Sequence, residues 1–218
     1  MTTDQGILGG ERIQASRKAT LKRLARWMAS KESGRRRSAK KTRSAKVSSM
    51  VRAVKDADVA RITEIYNHYI LNTLITFEEH SVSTEEILAR IKSIATEYPW
   101  LVYEDNGRIV GYAYAARWKE RSAYRHTVEA AIYVDVQDTG KHVGSQLTTA
   151  LLDELRGMKI HSVLAGIALP NGASVALCEK FGFAKVGQLK EVGFKLNQWV
   201  DVGYWELILN DLGEAAKM

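Results

Sequence analysis

Ile132-Tyr133-Val134-Asp135-Val136-Gln137-Asp138-Thr139-Gly140-Lys141-His142-Val143-Gly144-Ser145 is the stretch whose reading decides the fold. A β-branched and aromatic run ends at Val134 and a polar loop follows over 135–142. Val143, Leu147, Leu151, Leu152 and Leu155 then recur along one face of a helix over 143–156. Glycine lets a backbone approach a ligand and adopt positive φ. The first amides of a helix lack internal partners, and with the helix dipole they favour an anion such as a pyrophosphate. Lys141 adds a positive charge. Read alone, the stretch fits a plain tight turn as well as a phosphate cradle. It is not a Walker loop, because no Gly-Lys-Ser/Thr stands at the required spacing. Nor is it a dinucleotide fingerprint, since the spacing differs and the unit sits in mid-chain.

Working outward, a hairpin precedes this unit: Trp100–Tyr103, the turn Asp105-Asn106-Gly107, and Arg108–Ala115. Further upstream, 51–54 reads as a short strand. Asp56 or Asp58 caps a helix over 58–71, with Ile62, Ile65, Tyr66 and Tyr69 at helical spacing. Ser83 and Glu86 form a capping box for a helix running to Glu97, before Pro99. Thr127–Val134 is a strand. Downstream come a strand at Ser162–Ala168, a helix at Gly172–Phe181, a strand at Phe183–Glu191 and a last strand at Trp199–Leu209. Hairpins combined with one strand–helix–strand–helix unit predict an α/β (α+β in some schemes) domain. Its sheet is mixed and largely antiparallel, with helices on both faces.

The chain of 218 residues carries a net charge of +7, distributed unevenly. Residues 1–50 hold 14 Lys/Arg against 3 Asp/Glu, and residues 51–218 hold 18 against 22. Two organisational units follow: a basic, disordered extension over 1–50 and a mildly acidic domain over 51–213. Residues 19–29 of the extension could make a short helix. Three readings of the extension stay open: a solvated or start-site extension before Met50, an arm for nucleic acid or an anionic surface, and an organelle transit segment. The single cysteine, Cys178, excludes a disulfide framework and fits a reducing, cytoplasmic location. No apolar run approaches the ~18 residues of a membrane helix, and no secretory signal is visible. No metal cluster is legible either: five histidines are scattered and the cysteine has no partner at ligand spacing.

Further motifs carry a resemblance. They are Ile65-Tyr66-Asn67-His68, Tyr124-Arg125-His126-Thr127-Val128-Glu129, Ala165-Gly166-Ile167, Asn171 through Ser174 to Gly182-Phe183, and Val192-Gly193-Phe194-Lys195 through Trp199-Val200-Asp201. With the glycine loop, in this order over about 51–209, they resemble the GNAT acetyltransferase superfamily, in its phosphinothricin and methionine sulfoximine N-acetyltransferase branch. The resemblance implies a three-layer GNAT fold whose sheet is splayed to hold acetyl-CoA. It implies cofactor contacts from Ile132, Tyr133 and Val134, from Gly140, Lys141, His142, Val143, Gly144 and Ser145, and from Asn171 and Lys180. It implies a substrate pocket at Ser122, Ala123, Tyr124 and Arg125 and at Glu129, Ala130 and Ala131, and a homodimer whose second subunit completes that pocket.

Acetyl transfer needs a neutral amine, and free α-amines are largely protonated at neutral pH. Glu129 is the candidate general base, acting directly or through water; it stands among Val128, Ala130, Ala131 and Ile132, where partial burial would raise its pKa. A backbone amide at Val134 could face the developing oxyanion. Arg121, Arg125 and Lys195 are candidates for the substrate's acidic group, and Phe77 for a pocket wall. Two loop positions depart from the family pattern: Thr139 replaces Arg or Gln, and His142 replaces glycine. Relatives also often carry His where Cys178 and Ala130 stand. The function expected is acetyl transfer from acetyl-CoA to a small amino-acid-like amine. The alternatives are a different amine, or a non-catalytic acyl-CoA-binding or nucleic-acid-associated regulator with a basic arm.

Overall fold

The computed structural model describes residues 49–209. Of the extension expected over 1–50, Ser49 and Met50 instead belong to the first strand, paired with Asp105 and Glu104; its remaining residues, the helix expected over 19–29 and residues 210–213 of the expected domain lie outside the described residues. The chain runs β1 (Ser49–Ala53), α1 (Val59–Asn72), α2 (Thr84–Ile94), β2 (Trp100–Asp105), β3 (Arg108–Arg117), β4 (Thr127–Val134), α3 (Val143–Arg156), β5 (Ser162–Leu169), α4 (Gly172–Lys180), β6 (Ala184–Lys195) and β7 (Gln198–Ile208). The seven strands form one sheet in the order β1-β2-β3-β4-β5-β7-β6. Only β4 and β5 pair in parallel; every other neighbour is antiparallel.

Local chemistry sets most element ends. Asn106 and Gly107 both take positive φ, 51° and 82°, as the hairpin between β2 and β3 requires. Ser83 and Glu86 exchange the two bonds of the capping box at 3.2 and 2.7 Å. Other ends differ from expectation. The helix predicted to reach Glu97 stops at Ile94, and Glu97 and Tyr98 both turn back to Ile94 O; a residue before proline resists helical geometry. Asp58 does not cap α1 through its side chain. Its carboxylate instead accepts two bonds from Arg52, at 2.6 and 2.8 Å, and one from Lys55 N. The strand predicted over 183–191 continues to Lys195, with an irregularity between Leu189 and Gly193.

Strand alternation divides the apolar residues between two cores. Leu101, Tyr103 and Val110 face α3, packing with Leu147, Leu151, Leu152, Leu155 and Val163. Trp100, Val102, Ile109 and Tyr112 face the other way and pack with Ile62, Ile65, Tyr66 and Ile70 of α1 and Ile87 and Ile91 of α2. Helices therefore cover both faces. α3 lies close against β3 because Gly111 has no side chain; a Cβ there would meet Tyr133 O and Val143 Cγ1, each at 3.0 Å. Among the described residues no helix is long and apolar enough to cross a membrane.

Leu147 is fully buried beneath the first turns of α3. Leu147→Ala is expected to lower unfolding stability by about 3 kcal/mol, measured by urea denaturation.

Candidate active site

The site begins where two neighbouring strands part. β4 and β5 pair at Thr127 with Ser162, Val128 with Val163 and Glu129 with Leu164, and no further. Beyond that point β4 stays paired to β3 as far as Val134, and β5 stays paired to β7 as far as Leu169. Each strand keeps its outer partner and loses the shared one, so the sheet opens as a V. Asp135 N donates to Val110 O on β3. By alternation, the N–H and C=O of Val134 and of Ile132 point into the opening, while those of Tyr133 point to β3. The three residues expected to present backbone to a cofactor are thus split two to one. The Tyr133 ring lies among Tyr66, Tyr69 and Tyr112, at centroid distances of 5.1, 5.4 and 5.3 Å. The Tyr69 hydroxyl donates to Val134 O, so the Val134 N–H is the group left facing the gap.

The loop after β4 is held from below by buried ion pairs. Asp135 and Asp138 are 8% and 4% exposed. Asp135 pairs with Arg61 and, at 2.9 Å, with Arg108; Asp138 pairs with Arg108 and, at 2.8 Å, with Lys141. Burial disfavours ionised Asp138, but hydrogen bonds from Lys141 and Arg108 outweigh it and hold the carboxyl below its ordinary value. The Lys141 charge is therefore engaged by Asp138. Gly140 takes φ 77°. His142 takes φ 63° and ψ 9° as the residue before α3, which explains why glycine suits this position; with a Cβ there the left-handed conformation costs about 1 kcal/mol, and the imidazole is exposed. The amides of Val143, Gly144 and Ser145 then open α3. Lys180, from the end of α4, donates to Ser145 Oγ at 3.0 Å and brings its ammonium to this turn. Asn171 Oδ1 accepts from Ser174 N at 3.1 Å and caps α4 at the end of the other arm of the V.

Glu129 occupies the last paired position before the gap. Its carboxylate lies over Gly166 of β5: a Cβ there would sit 2.9 Å from Oε1. Burial raises the Glu129 pKa above the ordinary carboxylate value, opposed by the positive charge of Lys119. Among the described residues no group donates a hydrogen bond to it. Tyr114 stands opposite Ala131 in the register, stacked on Trp100 at 4.2 Å. Burial pushes its hydroxyl up to about 12, with further rises from the charges of Glu129 and Glu78.

The remaining expected residues are placed unequally. Ala130 and Ala131 follow Glu129 on β4 with minimal side chains. Ser122, Ala123 and Tyr124 form a single 3₁₀ turn, with Tyr124 edge-on to Trp118 at 5.1 Å, and Arg125 Nη1 donates back to Ser122 O at 3.3 Å. His126 Nδ1 lies 2.6 Å from Lys159 O. Lys195 is buried, and its Nζ donates to Thr76 O at 2.7 Å rather than to open space. Phe77 lies against Gly193, with 40% of its surface exposed. Cys178 is partly buried against the α3 core, which pushes its thiol up to about 11 and keeps it un-ionised at neutral pH. Tyr69 and Tyr114 carry no local signal as site residues in the sequence, because their approach to the gap depends on helix placement and strand pairing. Among the described residues no group of His, Cys, Asp and Glu is placed to hold a metal.

A splayed β4–β5 pair with a glycine loop and helix on one arm matches the acetyltransferase (GNAT) domain, whose family model covers residues 51–203. The chain belongs to the GNAT acetyltransferase family. It is accordingly an acyltransferase. It is 38% identical over 156 residues to a phosphinothricin N-acetyltransferase of Streptomyces viridochromogenes, covering 72% of this chain and 85% of that one. It is 37% identical over 162 residues to an L-methionine sulfoximine/L-methionine sulfone acetyltransferase of Salmonella typhimurium, covering 74% and 95%. Among solved structures, a GNAT superfamily phosphinothricin acetyltransferase from Sinorhizobium meliloti in complex with acetyl-CoA superimposes with a TM-score of 0.73 at 34% identity, over 77% of this chain and 91% of that one.

A carboxyl whose folded pKa is raised contributes its full stability below the unfolded value and loses it as pH rises through the folded value. Glu129→Gln, permanently neutral, is therefore expected to melt higher than the wild type at pH 7.5, with the gap closing at pH 4; melting curves at the two values check this.

Proposed function

We propose that this chain transfers the acetyl group of acetyl-CoA to the amine of a small amino-acid-like substrate of the phosphinothricin, methionine sulfoximine or methionine sulfone type. The observation that carries the reading is a desolvated carboxylate, Glu129, at the fork where β4 and β5 separate. The fork suits an extended ligand: Ile132 and Val134 offer backbone along one arm, and the α3 amides with Lys180 offer charge complementarity to a pyrophosphate at its end. When bound, acetyl-CoA supplies an acetyl group already activated as a thioester.

Glu129 takes one proton of the incoming ammonium, directly or through one water, and frees the lone pair for direct transfer; the C–N bond forms, the thioester C–S bond breaks, and CoA would leave as the thiol with the second proton that the nitrogen sheds. Its raised pKa makes it a stronger base than a solvated carboxylate. The Val134 N–H, aimed into the gap, is positioned for the carbonyl oxygen as negative charge develops there. Gly166 leaves room for the Glu129 carboxylate, and Tyr114 and Ala131 line the strand beside it.

A homodimer belongs to this reading. Among the described residues β6 is an edge strand paired only to β7, and Val186, Leu189, Val192, Phe194, Leu196 and Trp199 of the two strands and their turn are each about half exposed. Such a strip suits a second copy better than water. Trp199→Glu is expected to shift the chain to monomer in sedimentation velocity. A cytoplasmic location completes the reading and rests on the single cysteine.

The deciding assay follows acetyl-CoA consumption against methionine sulfoximine, methionine sulfone and phosphinothricin. Glu129→Gln should lower kcat roughly 10²- to 10⁴-fold while leaving acetyl-CoA affinity unchanged. In the wild type, kcat/KM should fall on the acid side with an apparent pKa above the ordinary carboxylate range. Acetyl-CoA binding without turnover on any amine would favour the non-catalytic alternative, and a wild type that does not bind acetyl-CoA would refute the proposal.

A further inference from the structure

Taking Glu129 and Phe77 as parts of one acceptor pocket, as proposed above, we infer that Lys195 is a positioning residue: it ties the segment 73–82 to β6 and so seats Phe77 on Gly193 as the wall that selects the acceptor's side chain. Lys195 is 2% exposed, and its ammonium reaches a carbonyl 119 positions away in the sequence. Among the described residues no carboxylate lies within ion-pair distance of it; Glu78 and Glu79 act on it only from further off. Burying an ammonium on one carbonyl is expensive, and an apolar side chain would fill the same space at lower cost. What the ammonium adds is a fixed location for Thr76.

The same segment is tied down on both sides of Phe77. The Tyr66 hydroxyl lies 3.1 Å from Thr76 Oγ1 and donates to Glu78 Oε1 at 2.8 Å. Arg90 clasps Glu78 through two bonds, at 2.6 and 3.2 Å. Asn67 holds Val82 through both its backbone groups, at 2.9 Å each. Phe77 projects from between Thr76 and Glu78, and its ring takes up the space a side chain at 193 would need: a Cβ there would lie 2.5 Å from Cζ. Gly193 has no positive φ, so its glycine serves space rather than backbone conformation. The clasp also packs against the strand that carries Glu129: the Tyr66 ring lies edge-on to Tyr133 of β4, with centroids 5.1 Å apart.

The test compares the full-length wild type with Lys195→Met and Gly193→Ala. Both variants are expected to raise KM for methionine sulfone about tenfold and to change the ranking of acceptors by side-chain size, with KM for acetyl-CoA held within about twofold. Lys195→Met should melt no lower than the wild type, and its amides over 73–82 should exchange faster while those of α3 do not. Gly193→Ala meets only the tip of the half-exposed Phe77 ring and no backbone atom, so it moves the wall and keeps the fold intact. Unchanged acceptor KM and ranking in both variants would overturn the inference alone. So would an acetyl-CoA KM that rises in step with that of the acceptor, or unchanged exchange over 73–82 in Lys195→Met. A wild type that binds acetyl-CoA and acetylates no amine would overturn the acceptor reading, and this inference with it.

Discussion

The parting of β4 from β5 after Glu129 governs the rest of the molecule, because a sheet cannot lightly leave strand edges unpaired in its middle. Backbone donors and acceptors exposed in this way need water, a ligand or a side chain as partner. Here β3 and β7 hold the two arms apart, and the opening collects what lies at their ends. On one arm stand Val134, the glycine loop and the first turn of α3; on the other, Gly166 and Asn171. The Tyr69 hydroxyl, reaching from α1, satisfies Val134 O and leaves the N–H as the outstanding group.

Electrostatics at this fork is divided between carboxylates that are paired and one that is not. Asp135 and Asp138 are buried, yet paired to arginines and a lysine, which keep Asp138 ionised and tie the loop to α1 and β3. Glu129 is partly buried without such partners, and its pKa moves the other way. Burial alone would raise Asp138 and Glu129 alike; the cations bonded to Asp138 keep it an ion-pair partner, and Glu129 is left as the acid proposed for the base. A desolvated carboxylate in this place costs stability, a common trade in sites that do chemistry.

The geometry of the proposed acceptor side depends on long-range contacts in the same way. The segment between α1 and α2 has no regular structure, yet it is held at Thr76, Glu78 and Val82 by side chains from α1, α2 and β6. A loop anchored at so many points can present Phe77 as a wall rather than as a mobile side chain.

By itself the sequence determined the periodic elements and their order, the turn at Asn106-Gly107, the capping box at Ser83 and Glu86, and the glycine loop before an amphipathic helix. All of these rest on interactions within a few residues, which local spacing encodes. The motifs spread over 51–209 also carried the family, and Glu129 stood out as a lone acid in an apolar strand. Only tertiary structure decided what the charged residues do. Lys141 is drawn to Asp138 and Lys195 to Thr76; Asp58 turns to Arg52 and leaves the helix end uncapped by its side chain; Tyr133 gives its backbone to β3. Each outcome depends on which distant strand or helix lies alongside, and pairing between strands far apart in sequence leaves no periodic trace along the chain.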